Sequence, residues 1–212
     1  MIPPFNAYLF DIDGTLLDSA QDICGAVQQV LATTQKPDVP FEYLKGFIGF
    51  HLLDLFTDLF PNASPEEIEA LITSYRREYP ARNHTSTKAY PGVKEALGCL
   101  PGRKSTATTK GTPTTRIVLE RFDLIGHFDH IQGTDDFPCK PAPDVLQRAM
   151  QGISATPDEV LMVGDSPADM EAGRRAGVKI CAVTYGYGKR EDLARFDPDY
   201  WISDLRELAA NC

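Results

Sequence analysis

Apolar positions along the chain fall into two textures. Ala20, Ile23, Val27, Val30 and Leu31 recur at helical spacing up to a Lys36-Pro37-Asp38-Val39-Pro40 break, and Ile48, Leu52, Leu55, Phe56 and Leu59 form a second stripe. A third stripe, Ile68, Leu71, Ile72, Tyr75 and Tyr79, follows Ser64-Pro65-Glu66-Glu67, a capping box with proline where a helix needs no N–H. No strand period interrupts residues 16–88, which read as helical throughout. From Tyr90-Pro91-Gly92 onward, short apolar or β-branched runs (104–109, 130–133, 160–164, 179–183 and 200–202) alternate with helices led by Val93/Leu97/Leu100, Ile117/Val118/Phe122, Val145/Leu146/Met150 and Met170 to Ala176. Another apolar run, Tyr8 to Ile12, precedes the helical block. The pattern predicts an α/β fold, a doubly wound Rossmann-like parallel sheet built from residues 1–15 and 89–212, with an inserted α-helical cap domain over 16–88.

The first run ends in Asp11-Ile12-Asp13-Gly14-Thr15. Side chains on a strand alternate faces, so Asp11 and Asp13 point the same way at the carboxyl end, where open α/β sheets place their ligands. Two carboxylates that close repel unless a cation lies between them. An Asx-type turn alone would also account for Asp13.

Three further polar sites sit at candidate strand ends. Thr106-Ala-Thr-Thr-Lys110 offers hydroxyls for phosphoryl oxygens, although a β-branched strand end running into a helix start explains it equally. In Cys139-Lys140-Pro-Ala-Pro143 the lysine is a solvated turn residue or, if buried beside carboxylates, a charge for a phosphoryl group. Cys139 beside it is expected to pack as a small side chain. In Val160-Leu-Met-Val-Gly-Asp165-Ser-Pro-Ala-Asp169, Ser166, Pro167 and Asp169 have the spacing of a capping box, and Asp165 is left over as a candidate hard-metal ligand, with Asp169 reaching a coordinated water.

Composition narrows the chemistry. A net charge of −9 argues against general affinity for nucleic acid or anionic membranes, so an anionic substrate needs locally placed cations. Five scattered cysteines without a Cys-x-x-Cys pair fit reduced thiols, and zinc is not indicated. No run is long enough to span a bilayer and no signal core opens the chain, which points to a soluble, cytoplasmic protein.

Taken in order, the four polar sites resemble the four motifs of the haloacid dehalogenase superfamily. The Asp-Gly-Thr-Leu-Leu-Asp-Ser run, Tyr90-Pro-Gly-Val93 and Thr184-Tyr-Gly-Tyr-Gly188 are similar to its phosphoglycolate phosphatase branch. The resemblance implies Asp11 as nucleophile, Asp13 as general acid and base, and Thr108, Thr109 and Lys140 around the phosphate. It also implies Mg2+ held by Asp11, Asp13 through its backbone carbonyl, and Asp165, with Asp169 behind a water. Thr109 stands where that branch often has asparagine, and Cys139 where glycine is common. By the same resemblance Phe47, Ile48 and His51, in Lys45-Gly-Phe-Ile-Gly-Phe-His51, face the substrate from the cap, although the apolar pair packing the cap and a solvated His51 would explain the segment equally; if it does face the site, His51 or Lys45 is a donor for a carboxylate. The implied activity is phosphomonoester hydrolysis of a small phosphorylated metabolite, 2-phosphoglycolate first, by a monomer or homodimer. Alternatives are sugar phosphates or nucleoside monophosphates as substrates, a phosphosugar mutase, a dehalogenase of the same fold, and a phospho-accepting receiver-like domain. A receiver needs no leaving-group acid such as Asp13.

Overall fold

The computed structural model describes residues 2–209. Its elements are β1 (Ala7–Phe10), β2 (Leu17–Asp18), α1 (Ala20–Leu31), α2 (Phe41–Lys45), α3 (Leu52–Leu59), α4 (Pro65–Ala81), β3 (Lys88–Ala89), α5 (Val93–Cys99), β4 (Arg103–Thr106), α6 (Thr112–Arg121), α7 (Asp144–Gly152), β5 (Val160–Gly164), α8 (Pro167–Ala176), β6 (Lys179–Val183), α9 (Arg190–Ala194) and β7 (Tyr200–Ile202). Five strands pair in parallel in the order β4-β1-β5-β6-β7. Helices cover both faces, which is why β1 and β5 carry no polar side chain apart from the Tyr8 hydroxyl. Tyr8, Phe10, Leu161 and Val163 fill one core, whereas Ala7, Leu9, Val160 and Met162 fill the core on the opposite face. From β1 the chain goes to β4 on one side and later to β5 on the other, so strand order reverses at β1. A crevice therefore opens at the carboxyl end of β1.

Helices α1 to α4 bury a third core of their own, centred on Val27, Leu31, Leu44, Phe56, Ile72 and Tyr75. Ser64 and Glu67 form the expected capping box at the start of α4. Three expectations need correction. Residues 16–88 are not helical throughout, because β2 and β3 form an antiparallel pair (Leu17↔Ala89, Asp18↔Lys88) where the chain enters and leaves the helical layer. Residues 130–133 are not a full strand: the Thr106 hydroxyl donates to the Gln132 carbonyl and accepts from its N–H, a side-chain substitute for the ladder, leaving one bridge at His130. Of the cysteines, Cys24 and Cys181 are buried thiols and Cys139 is half-buried, but Cys99 is disulfide-bonded and so departs from the expectation of reduced thiols. Cys212 lies outside the described residues. Among those described, no helix is long and apolar enough to cross a membrane.

Candidate active site

Asp11 directly follows β1, its N–H donating to the Val163 carbonyl at 3.0 Å, so the strand pairing itself fixes the residue in the crevice. Asp13 sits one turn further on. Its Oδ1 accepts from the Ser19 hydroxyl at 2.6 Å and its Oδ2 lies 3.1 Å from Lys110 Nζ. Gly14 makes the turn at φ +90°, and a Cβ there would come within 2.2 Å of an Asp165 carboxylate oxygen. Both the backbone angle and the space exclude a side chain.

Lys140 is buried beneath the two acid clusters, 129 residues from Asp11 in sequence. Its Nζ donates to Asp11 Oδ1 at 2.8 Å, to Asp169 Oδ1 at 2.5 Å and to the Ala107 carbonyl at 2.9 Å, which uses all three ammonium protons. Burial alone would pull this ammonium down, but Asp11 and Asp169 outweigh it and push it up, so it stays charged. The neighbouring Cys139 thiol is pushed up by burial and is no activated thiolate.

Asp165 follows β5, and its carboxylate accepts from the Thr15 hydroxyl at 3.0 Å and the Tyr187 N–H at 2.8 Å. Ser166 and Asp169 form the capping box of α8, with Asp169 Oδ2 accepting from the Ser166 N–H and hydroxyl. Its other oxygen holds Lys140, so Asp169 positions both the lysine and the helix end. Carboxylate oxygens of Asp11, Asp165 and Asp169 lie within 4.8 Å of one another. Burial, opposed by Lys140 but reinforced by Asp169, pushes the Asp11 carboxyl up to about 6. Burial, then Asp169 and Asp11, push that of Asp165 up to about 8. One lysine does not neutralise this set. Oxygen donors with surplus negative charge are what a hard divalent cation takes, so the residues fit one.

Above these acids a cavity of about 390 Å³ separates the sheet end from the helical layer. Phe47, Ile48 and His51 all line it, as does Thr108. The Thr108 hydroxyl accepts weakly from the Lys110 N–H, at 3.4 Å, and its own proton has no protein acceptor among the described residues. Thr109, expected around the phosphate, also lines the cavity, and its hydroxyl donates to the Gly49 carbonyl at 2.9 Å. Gly49, at φ +97°, packs on Ser166 closely enough that a Cβ would lie 3.0 Å from the serine Cβ. The 46–51 loop is thus seated on the sheet domain at two points. His51 caps α3, Nδ1 accepting from the Leu53 N–H, which places the proton of the neutral ring on Nε2. Lys45 lies over the Tyr187 ring and is not a lining residue. A cation that does line the cavity, Lys110, was passed over in the sequence, where only its position after two threonines marks it.

Comparison with known proteins finds relatives along nearly the whole chain. The family model described as haloacid dehalogenase-like hydrolase matches residues 8–183. A protein of Nitrosospira multiformis named phosphoglycolate phosphatase is 32% identical over 213 residues, covering 96% of this chain and 94% of that one. One of Halalkalibacterium halodurans named pyrophosphatase PpaX is 32% identical over 207 residues, with coverage of 96% and 94%. Among solved structures, a haloacid dehalogenase-like family hydrolase from Streptococcus pneumoniae superposes with a TM-score of 0.88 at 27% identity, covering 97% of each chain.

Proposed function

The chain belongs to the haloacid dehalogenase-like hydrolases and is a phosphatase of that family, and from this premise we propose that it hydrolyses a small phosphomonoester through an aspartyl-phosphate on Asp11. The observation that carries the reading is the pair Asp11 and Asp13, each held differently. Lys140 fixes Asp11 through Oδ1 and leaves Oδ2 for phosphorus, whereas Asp13 is gripped by a hydroxyl and a second lysine at the cavity wall. Asp11 attacks phosphorus, the bond to the leaving oxygen breaks, and Asp13 delivers the proton that oxygen needs. Asp13 then takes a proton from the water that cleaves the acyl phosphate, regenerating Asp11. Thr108 donates to a phosphoryl oxygen, and Lys140 opposes the gathered negative charge from below. Mg2+, held by Asp11, the Asp13 carbonyl and Asp165, would let a carboxylate and a phosphoryl dianion approach. The helical layer, 16–88, acts as a cap that excludes water while Asp13 is donating its proton.

The cavity is small and largely apolar above the acids, which favours a short leaving group and 2-phosphoglycolate first. Inorganic pyrophosphate is a second reading, supported by the relatives named pyrophosphatase. A panel of phosphomonoesters and pyrophosphate at saturating magnesium tests this. Small substrates should show the highest kcat/KM, and a tenfold preference for nucleoside monophosphates, about 1.4 kcal/mol of transition-state binding, would overturn the substrate assignment.

A further inference from the structure

Two lysines in this site differ in what they leave unused. Lys140 has three protein acceptors for three protons. Lys110 has two partners, Asp13 Oδ2 at 3.1 Å and the Tyr79 hydroxyl at 3.1 Å, with the tyrosine ring centroid 4.4 Å from Nζ. One of its protons has no protein acceptor among the described residues, and the residue lines the cavity beside Asp13, the acid that would protonate the departing oxygen. The surrounding wall, Ile23, Val27, Leu44, Ile72 and Tyr75, offers an anion no charge, and an anion moved there without a cation would lose its hydration uncompensated. The other lining cation with a fixed charge, Arg76, is exposed and already paired with Glu69.

We propose that Lys110 is the specificity-determining residue of the site: its spare ammonium proton binds a negative charge on the leaving group, so the preferred substrates are those whose departing alcohol or acid carries a carboxylate or phosphate. Tyr79, reaching down from α4, holds the ammonium in place by hydrogen bond and ring face, and so makes recognition depend on the helical layer being seated. This rests on the phosphatase reading above and adds to it the charge of the leaving group.

The test compares 2-phosphoglycolate with 2-hydroxyethyl phosphate, which has nearly the same size and a neutral leaving group. Wild-type protein should prefer the anionic ester. In Lys110→Met both substrates lose rate because Asp13 loses a partner, but the ratio of kcat/KM values should fall at least tenfold. Lys110→Gln, which keeps polarity without the charge, should give the same fall if the methionine variant does not fold, and unchanged competitive inhibition by inorganic phosphate reports an intact site for the transferred group. A wild-type protein that hydrolyses neither ester overturns the substrate reading. A wild type without preference for the anionic ester, or variants that lose both substrates equally, overturn the role of Lys110 and leave the phosphatase reading standing.

Discussion

The floor and the roof of the cavity are built on opposite rules. In the floor, the fold partners its scaffold groups in full: Lys140 is saturated, Asp165 takes two donors, and Asp169 divides its oxygens between a lysine and a helix cap, while Asp11 keeps one oxygen and Thr108 its proton for the substrate. In the roof, apolar side chains from α1, α3 and α4 enclose space, His51 brings a ring nitrogen with hydrogen-bonding capacity left over, and Lys110 meets that wall from the sheet side. A fully partnered network holds atoms to a geometry that chemistry requires, whereas a sparse apolar wall selects by shape and by one charge. Changes to the floor should therefore alter the rate on every substrate, and changes to the roof should alter which substrate is chosen.

The sharpest way to break the floor is Asp11→Asn. It should lower kcat by at least about a thousandfold, since an amide is a poor nucleophile, while the melting temperature moves little because Lys140 keeps Asp169 and Ala107. Retention of a tenth of wild-type kcat would falsify the covalent mechanism. Gly14→Ala comes next, with the new Cβ driven into the Asp165 carboxylate at a positive φ. Stability measured by denaturant should drop by about 2–4 kcal/mol, and the magnesium concentration for half-maximal activity should rise about tenfold.

A quieter test separates charge from packing. The Asp11 and Asp165 carboxyls, pushed up to about 6 and about 8, keep their protons in the folded state at pH values where the unfolded chain has released them. Metal-free protein should therefore lose stability as pH rises from about 4 to about 8, and magnesium should raise the melting temperature by several degrees more at pH 8 than at pH 5. Asp165→Asn should flatten that profile and make the metal-free protein more stable at pH 8. An unchanged slope by calorimetry would show that the floor acids do not repel. The smallest effect is expected in the roof. His51→Ala removes a helix cap worth about 1 kcal/mol and should cost severalfold in kcat/KM on 2-phosphoglycolate, with less change on 2-hydroxyethyl phosphate. Equal changes on both esters would make His51 a cap and nothing more.

The floor was largely legible in the sequence and the roof was not, for a physical reason. Asp11, Asp13, Lys140 and Asp165 stand at the ends of apolar runs, and a parallel sheet brings the carboxyl ends of its strands to one edge, so spacing in the chain translates into proximity. The capping box at Ser166 and Asp169 was equally visible, but not that Asp169 would spend its second oxygen on Lys140, a contact between elements that no local pattern encodes. Lys110 escaped because its partner in the roof, Tyr79, belongs to α4 and reads in the sequence as one more apolar stripe position. Helical spacing states which face of a helix is buried and says nothing about which residue on another layer it will meet. The short β2 and β3 pair was missed because two residues give no period.

That pair has a consequence for how such a protein varies. Leu17 and Asp18 run antiparallel beside Ala89 and Lys88, and Asp22 at the head of α1 accepts from the Ser86 N–H and the Thr87 hydroxyl, so the outgoing and returning chain are laced together at the sheet edge. The ends of the intervening segment meet as the ends of a hairpin do. A tight turn joining Asp18 to Lys88, or an unrelated module with closely spaced termini, can be spliced there without moving any strand of the sheet. Ancestry and engineering can thus exchange the wall that closes over the leaving group while inheriting the reaction intact.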